Sequence, residues 1–383
     1  MVRFLHTADW QLGMTRSFLS EEAQGRFTQA RIDAIRTMAD FALKEDAKFG
    51  VVAGDVFESN LLSPQVISRS LEAMRASQLP WYLLPGNHDP LDASSIYRQR
   101  AFLERKPDNV HVIADNVPIP IDTRTELVGA PWPNKRPLRD LVDAAVRDLQ
   151  TASGKVRVAV GHGAIDILAP DKKNPANICF ASVQKAFKEG RIQYLALGDR
   201  HSSTIVGGVN CVRYSGAPEP TDYDEKRPGL ALLVDLNPEK CEVRELPVAR
   251  WRFARETVDL SGDADLPRLQ AWFNAFPSKE NTIVKLGLKG ALSLRGHAEL
   301  ESLLEEEQHL LGALERWERE SQLSLHPTPE DLDALGLTGY AQKALEDLQA
   351  KNDGGPESRE VGDALALLYR LAKAGPAEKG ELS

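Results

Sequence analysis

Short apolar runs recur along the first 250 residues, each followed by a stretch long enough for a helix or a loop, and this alternation limits what the chain can become. Residues 3–7, 49–53, 81–84, 110–114, 126–129, 156–160, 193–197, 211–214 and 230–235 read as strands. Residues 27–43 place Ala30, Ile32, Ile35, Met38 and Phe41 at helical spacing, and residues 64–76 read as another helix. The pattern predicts a layered α/β or α+β domain with helices covering a central sheet. No internal repeat or low-complexity segment interrupts it.

The alternation closes near residues 247–252. Beyond them, Val284, Leu286 and Leu288 alternate with Lys285, Gly287 and Lys289, the pattern of a half-buried strand. Residues 298–311 form an amphipathic helix through Leu300, Leu303, Leu304, Leu310 and Leu311, with Gly312 as its C-cap. Leu323 and Leu325 mark a returning strand. Thr328-Pro329-Glu330-Asp331 reads as a helix start. A polar break over residues 352–356 precedes a last helix, 357–374, with Val361, Leu365, Leu368 and Leu371 on one face. The expected domains are therefore 1–250, a small α/β capping domain over 251–326, and C-terminal helices over 327–383.

Composition excludes several classes. No apolar run is long enough to span a membrane, and the N-terminus reads as a strand rather than a signal peptide. Cys179, Cys211 and Cys241 show no metal-binding spacing and are expected to be reduced, in a cytoplasmic protein. The net charge of −9 is unevenly spread: residues 297–383 carry −11 and the first 296 carry +2. The acidity thus belongs to the C-terminal part, and charge alone gives no positive footprint for nucleic acid. No Ser-His-Asp order, P-loop or dinucleotide-binding glycine pattern appears.

Five clusters at or just beyond strand ends carry the chemistry. They are Asp9-Trp10-Gln11, Gly54-Asp55, Gly86-Asn87-His88-Asp89, Gly161-His162-Gly163 and Gly198-Asp199-Arg200-His201. Carboxylate, amide oxygen and imidazole are ligands for hard or borderline divalent cations. Gly86 supplies backbone freedom for a tight turn. One aspartate at a strand end is ordinary turn chemistry; five such clusters on successive strand ends are not.

His6-Thr7-Ala8-Asp9-Trp10, Gly54-Asp55-Val56-Phe57, Pro85-Gly86-Asn87-His88-Asp89 and Tyr214-Ser215-Gly216-Ala217-Pro218-Glu219 resemble signatures of the calcineurin-like metallophosphoesterases, and within them the SbcD-type nuclease subunits of double-strand-break repair. The resemblance implies a β-sandwich flanked by helices and two divalent metals bridged by Asp55. Asp9, Gln11, Asp55 and His201 would hold one metal; Asp55, Asn87, His162 and Asp199 would hold the other. His88 would stand near the scissile phosphate as general acid or charge stabiliser. The family places histidine where this chain has Gln11 and Asp199. Gln11 is a weaker amide-oxygen ligand or a hydrogen-bond partner of a metal water. Exchanging nitrogen for oxygen twice favours Mn²⁺, with Mg²⁺ as the alternative, over Zn²⁺.

Arg200, Lys172, Lys173 and Tyr214 are weaker candidates for substrate contact, each with a plain structural alternative. The resemblance implies a metal-dependent phosphodiesterase or exonuclease acting on DNA, with an SbcC-type SMC-like ATPase as partner; a homodimer is a further expectation. Two alternatives stay open: a phosphoesterase for small nucleotides or phosphoproteins, and a scaffold with weakened chemistry. The apolar face of residues 357–374 either binds a partner helix or folds back on its own domain.

Overall fold

The computed structural model describes residues 1–326, Thr328, Asp331, 339–351, Val361, 364–365 and 367–368. The chain divides into two compact units, Met1–Arg252 and Phe253–Ser383.

The first unit opens with β1 (Val2–Thr7), α1 (Glu21–Lys44), β2 (Gly50–Val52), α2 (Pro64–Ser77), β3 (Trp81–Leu83), α3 (Arg100–Leu103) and β4 (Val110–Val112). It continues through β5 (Ile119–Pro120), β6 (Thr125–Gly129), α4 (Leu141–Val146), β7 (Val156–His162), α5 (Phe180–Lys188) and β8 (Tyr194–Gly198). The strands β9 (Thr204–Val206), β10 (Val209–Tyr214), β11 (Leu230–Leu236) and β12 (Cys241–Pro247) complete it.

These strands make two six-stranded sheets, ordered β12-β11-β1-β2-β3-β4 and β5-β6-β7-β8-β10-β9. Successive side chains of a strand point to opposite faces, and both faces here are apolar. Phe4 of β1 packs with Phe49, Tyr82, Val158 and Tyr194 between the sheets. Its neighbour Leu5 packs outward with Ile35, Met38 and Leu71 of α1 and α2. In the second sheet Val158 faces inward, whereas Ala159 lies outward with Val142 and Val183 of α4 and α5. The layers are helix, sheet, sheet, helix. Alternation alone suggested one central sheet; the sandwich implied by the resemblance is what forms, because each sheet has a second apolar face to bury.

Helix α1 begins at Glu21, earlier than its apolar spacing indicates. The Ser20 hydroxyl accepts a hydrogen bond from the Ala23 N–H, and Glu21 and Glu22 lie in the first turn. Polar caps of this kind carry no periodic signal.

The second unit holds β13 (Arg252–Leu260), α6 (Leu266–Asn274), β14 (Thr282–Leu292), α7 (Leu294–Leu310), β15 (Ala313–Arg316), β16 (Gln322–Leu325) and α8 (Tyr340–Lys351). Parallel β15 pairs with the first half of β14 and parallel β16 with its second half. Leu269, Phe273, Leu286, Leu300 and Leu304 form its core. Helix α7 starts at Leu294, capped by Ser293. Gly312 is not its C-cap: Leu311 is already extended, and the Gly312 N–H bonds to the carbonyls of Lys279 and Thr282. Thr328 and Asp331 exchange hydrogen bonds in the manner of a helix-start capping box. Of the expected helix over 357–374, Val361 and Leu365 are buried with Leu294 and Leu325, and Leu368 packs beside them. Leu371 and the polar break at 352–356 lie outside the described residues. Among the described residues no helix is long and apolar enough to cross a membrane.

Candidate metal centre

The loops that follow β1, β2, β3, β7 and β8 converge at one end of the first unit. Past the strand ends, β1 and β2 remain joined: the Asp9 N–H donates to the Gly54 carbonyl, and the Gln11 N–H to the Asp55 carbonyl, each at 3.0 Å. Holding that pairing through a turn forces unusual backbone. Asp9 (φ 54°), Gln11 (φ 44°), Asp55 (φ 52°) and Asp199 (φ 93°) all adopt positive φ. Strain of this kind costs of order 1–3 kcal/mol per residue, and here it falls on four of the residues the sequence marks as ligands.

One side of the cluster is built around His162, whose imidazole is buried. Its Nδ1 lies 2.8 Å from the Ala53 carbonyl, which can only accept, so Nδ1 carries a proton. The Trp132 indole N–H donates to the His162 carbonyl at 2.9 Å. Nε2 then faces Asn87 Oδ1 at 2.7 Å, Asp55 Oδ2 at 3.3 Å and Asp199 Oδ1 at 3.9 Å. Ligand atoms of Asp9, Asp55 and His162 all lie within 4.8 Å of one another. Gly54 and Gly86 permit this density. A Cβ at Gly54 would collide with the His162 ring, and one at Gly86 with the Asp55 carboxylate. At Gly86 an ordinary side chain would clash, as expected of this turn, and the clash is with Asp55.

The other side is built around His201. Its Nδ1 meets Thr221 Oγ1 at 2.7 Å and Glu225 Oε1 at 2.8 Å. Its Nε2 meets Gln11 Nε2 at 3.2 Å, while Gln11 Oε1 is buried without a hydrogen-bond partner. Such an orphaned oxygen is costly in a protein interior. Asp9 links the two sides by accepting the Asp199 N–H on both carboxylate oxygens, at 3.0 and 3.1 Å.

Proton balance follows from this crowding. Burial, then the Asp55 charge, pushes the Asp9 carboxyl up to about 7. Burial would lower His162, but the carboxylates of Asp55, Asp9 and Asp199 outweigh it and hold the imidazole up to about 10. Burial likewise opposes the charge on His201, yet Glu225 and Asp9 raise it to about 9. Imidazolium protons balance the carboxylates, and a divalent cation would carry equivalent charge between the same lone pairs. The donor set of carboxylate, amide oxygen and imidazole, with one orphaned oxygen, fits such an ion.

His88 is half-exposed. Its N–H donates to Asp55 Oδ1 at 2.9 Å, and its Nδ1 lies 2.9 Å from the Glu58 carbonyl. Nε2 therefore points toward Asp55 Oδ2, 4.0 Å away. Gln11, Arg16, His88, Asp199, Arg200 and His201 are among the residues lining a cleft of about 520 Å³. Asp89 is a structural clamp rather than a ligand, accepting from the N–H groups of Gly86 and Phe57 and from the Tyr97 hydroxyl.

The weaker substrate candidates separate. Arg200 lines the cleft, with its Nε bonded to Thr204. Tyr214 is buried; its hydroxyl donates to the Gly163 carbonyl and accepts from the Ile165 N–H, which makes it a support for the loop after β7 and not a substrate contact. Lys172 is bonded to the Asp166 carbonyl, and neither it nor Lys173 lines the cleft. Sequence reasoning missed Trp132, Thr221 and Glu225. Ala130-Pro131-Trp132 follows a strand end and was a readable signal; Glu225, in a charged loop, gave none.

A sequence profile of the calcineurin-like phosphoesterases matches residues 2–203, more than half of the chain. The chain is 28% identical to the SbcD subunit of nuclease SbcCD from Escherichia coli (strain K12), across 58% of this chain and 62% of that protein, less than two thirds of its length. It is 25% identical to the subunit of the same name from Bacillus subtilis (strain 168), across 71% and 78% of the two chains. To the DNA double-strand break repair protein Mre11 of Haloferax volcanii it is 24% identical, across 81% and 66%. With the strand-end cluster in hand, these matches mean that the chain belongs to the calcineurin-like phosphoesterase family.

Proposed function

We propose that the chain is a metal-dependent phosphodiesterase that cleaves DNA, with Asp9, Gln11, Asp55 and His201 holding one divalent cation and Asp55, Asn87, His162 and Asp199 a second. The observation that carries this is the convergence of Asp9, Asp55 and His162, ligand atoms within 4.8 Å, at the shared end of two sheets. Bound cations would supply Lewis acidity and a water acidic enough to act at neutral pH. The protein's own part is to hold those ligands rigid and to present His88. With Nδ1 turned to the Glu58 carbonyl, His88 has Nε2 free to give a proton to a departing sugar oxygen. Arg16, Arg200 and Lys226 offer phosphate contacts along the cleft. Mn²⁺ is the preferred ion on the oxygen-rich donor set, with Mg²⁺ second. By analogy with the named relatives, the proposed setting is DNA repair in the cytoplasm beside an SbcC-type ATPase.

Glu58, Asp222, Asp224 and Glu225 line the same cleft, and this acidity favours a second reading, a phosphoesterase for small nucleotides. Cleavage of labelled linear DNA with Mn²⁺, Mg²⁺ or chelator, beside His88→Ala and a small phosphodiester, separates the two. Mn²⁺-dependent DNA cleavage, lost in His88→Ala while cation binding persists, is the expected result. Cleavage of the small diester alone would move the assignment to the second reading. Fewer than two bound cations and no cleavage of either would leave only a scaffold role.

A further inference from the structure

Far apart in sequence, Cys211 and Cys241 meet in the fold. On β10, Val212 and Tyr214 pack outward beneath α5, so Cys211 and Arg213 occupy the opposite face. Cys211 packs against the core between the sheets, and so does Cys241 of β12, which belongs to the other sheet. The Asn210 side-chain amide donates to the Cys241 carbonyl at 2.9 Å, tying the two strands together at this point. Each thiol influences the ionisation of the other, and both residues are half-buried, hence reachable.

Beside them lies Arg213, only 5% exposed. Among the described residues it has no carboxylate partner, and its Nε has no hydrogen-bond partner. The charged and titratable groups around it are His6, Tyr194 and the two thiols. A buried cation without an anion is expensive, and a thiolate is the anion available here.

We propose that Cys211 and Cys241 form a thiol–disulfide exchange site that takes a small-molecule disulfide as oxidant and closes into a covalent tie between the two sheets. Cys211 is the attacking sulfur. Arg213 lies two residues along the same face of β10, and its charge favours the Cys211 thiolate. The Cys211 thiolate attacks one sulfur of the oxidant, forming a mixed disulfide and expelling a thiolate. That thiolate takes the Cys241 proton. The Cys241 sulfur then attacks Cys211 and expels the second thiolate, which is protonated from water. Overall, two protein thiols and one disulfide become one protein disulfide and two small thiols. Nothing in this scheme involves the metal centre.

The test treats the full chain with oxidised glutathione at neutral pH and reads intact mass and peptide maps. The wild type should lose two hydrogens, with the Cys211 and Cys241 peptides joined and no lasting adduct on either. In Cys241→Ser the adduct should stay on Cys211 and form at least about tenfold faster than on Cys179, the internal reference. Arg213→Gln should remove most of that advantage and Arg213→Lys should restore it, with melting curves confirming that each variant is folded. A persistent Cys211 adduct in the wild type would overturn the proposal. So would unlinked thiols in wild type, or a Cys211 that reacts no faster than Cys179.

Discussion

The two halves of the candidate centre are built to different standards. Around His162 the ring is fully enclosed, its Nδ1 fixed by a backbone carbonyl and its own carbonyl held by Trp132. Around His201 the ring is 24% exposed and oriented by side chains of one loop, Thr221 and Glu225. Facing it is Gln11, whose amide leaves an oxygen unpaired. The first half is preorganised by the fold; the second depends on a loop carboxylate, Glu225. Two cations in this site should therefore bind with unequal strength, the His162 side first.

Asp55 is proposed to bridge both cations, so Asp55→Asn should weaken both by more than the ~10–100-fold that loss of a supporting residue costs. Calorimetric titration with Mn²⁺ measures this, and two unchanged binding steps would rule out Asp55 as the bridge. Glu225→Gln should weaken only the second cation, by about 10–100-fold. If both steps shift together, the supposed difference between the halves is wrong. Trp132→Phe removes one hydrogen bond behind His162, worth about 1 kcal/mol. It should weaken only the first cation, by a few-fold, in the same titration.

His6 supplies the reference for burial without acidic neighbours. Its ring, bonded to the Tyr194 hydroxyl at 3.0 Å and near the Leu197 carbonyl, is pushed down to about 3 by burial, with Arg213 adding to the effect. His162, equally buried among carboxylates, moves the opposite way. Because the folded value of His6 lies below the unfolded one of about 6.5, its contribution to stability is complete above that pH. It is lost as pH falls toward about 3. Between pH ~7.5 and ~5.5 the loss should be about 1 kcal/mol, read as a fall in denaturation midpoint that is smaller in His6→Leu. An identical acid dependence in that variant would show that His6 already accepts a proton in the folded state.

Much of the centre was legible because strand chemistry is local. A run of alternating apolar residues ending in a glycine and a carboxylate indicates both a strand and what its end displays, and Asp9, Asp55, Asn87, His162 and His201 were found that way. Tyr214 was misread because its hydroxyl is consumed by Gly163 and Ile165, partners about fifty residues distant that no local pattern names. The start of α1 was missed for a similar reason: a serine cap is one residue and has no period.

The sequence by itself determined the strands, the helices between them and the inventory of candidate ligands, since side-chain direction and turn geometry depend on near neighbours. Tertiary structure alone decided which nitrogen of each histidine faces the carboxylates, that Trp132 and Glu225 stand behind those rings, and that Cys211 meets Cys241. Each of these is a contact between residues far apart in the chain. Its free energy comes from burying both partners together, so neither partner's own stretch of sequence carries a sign of it.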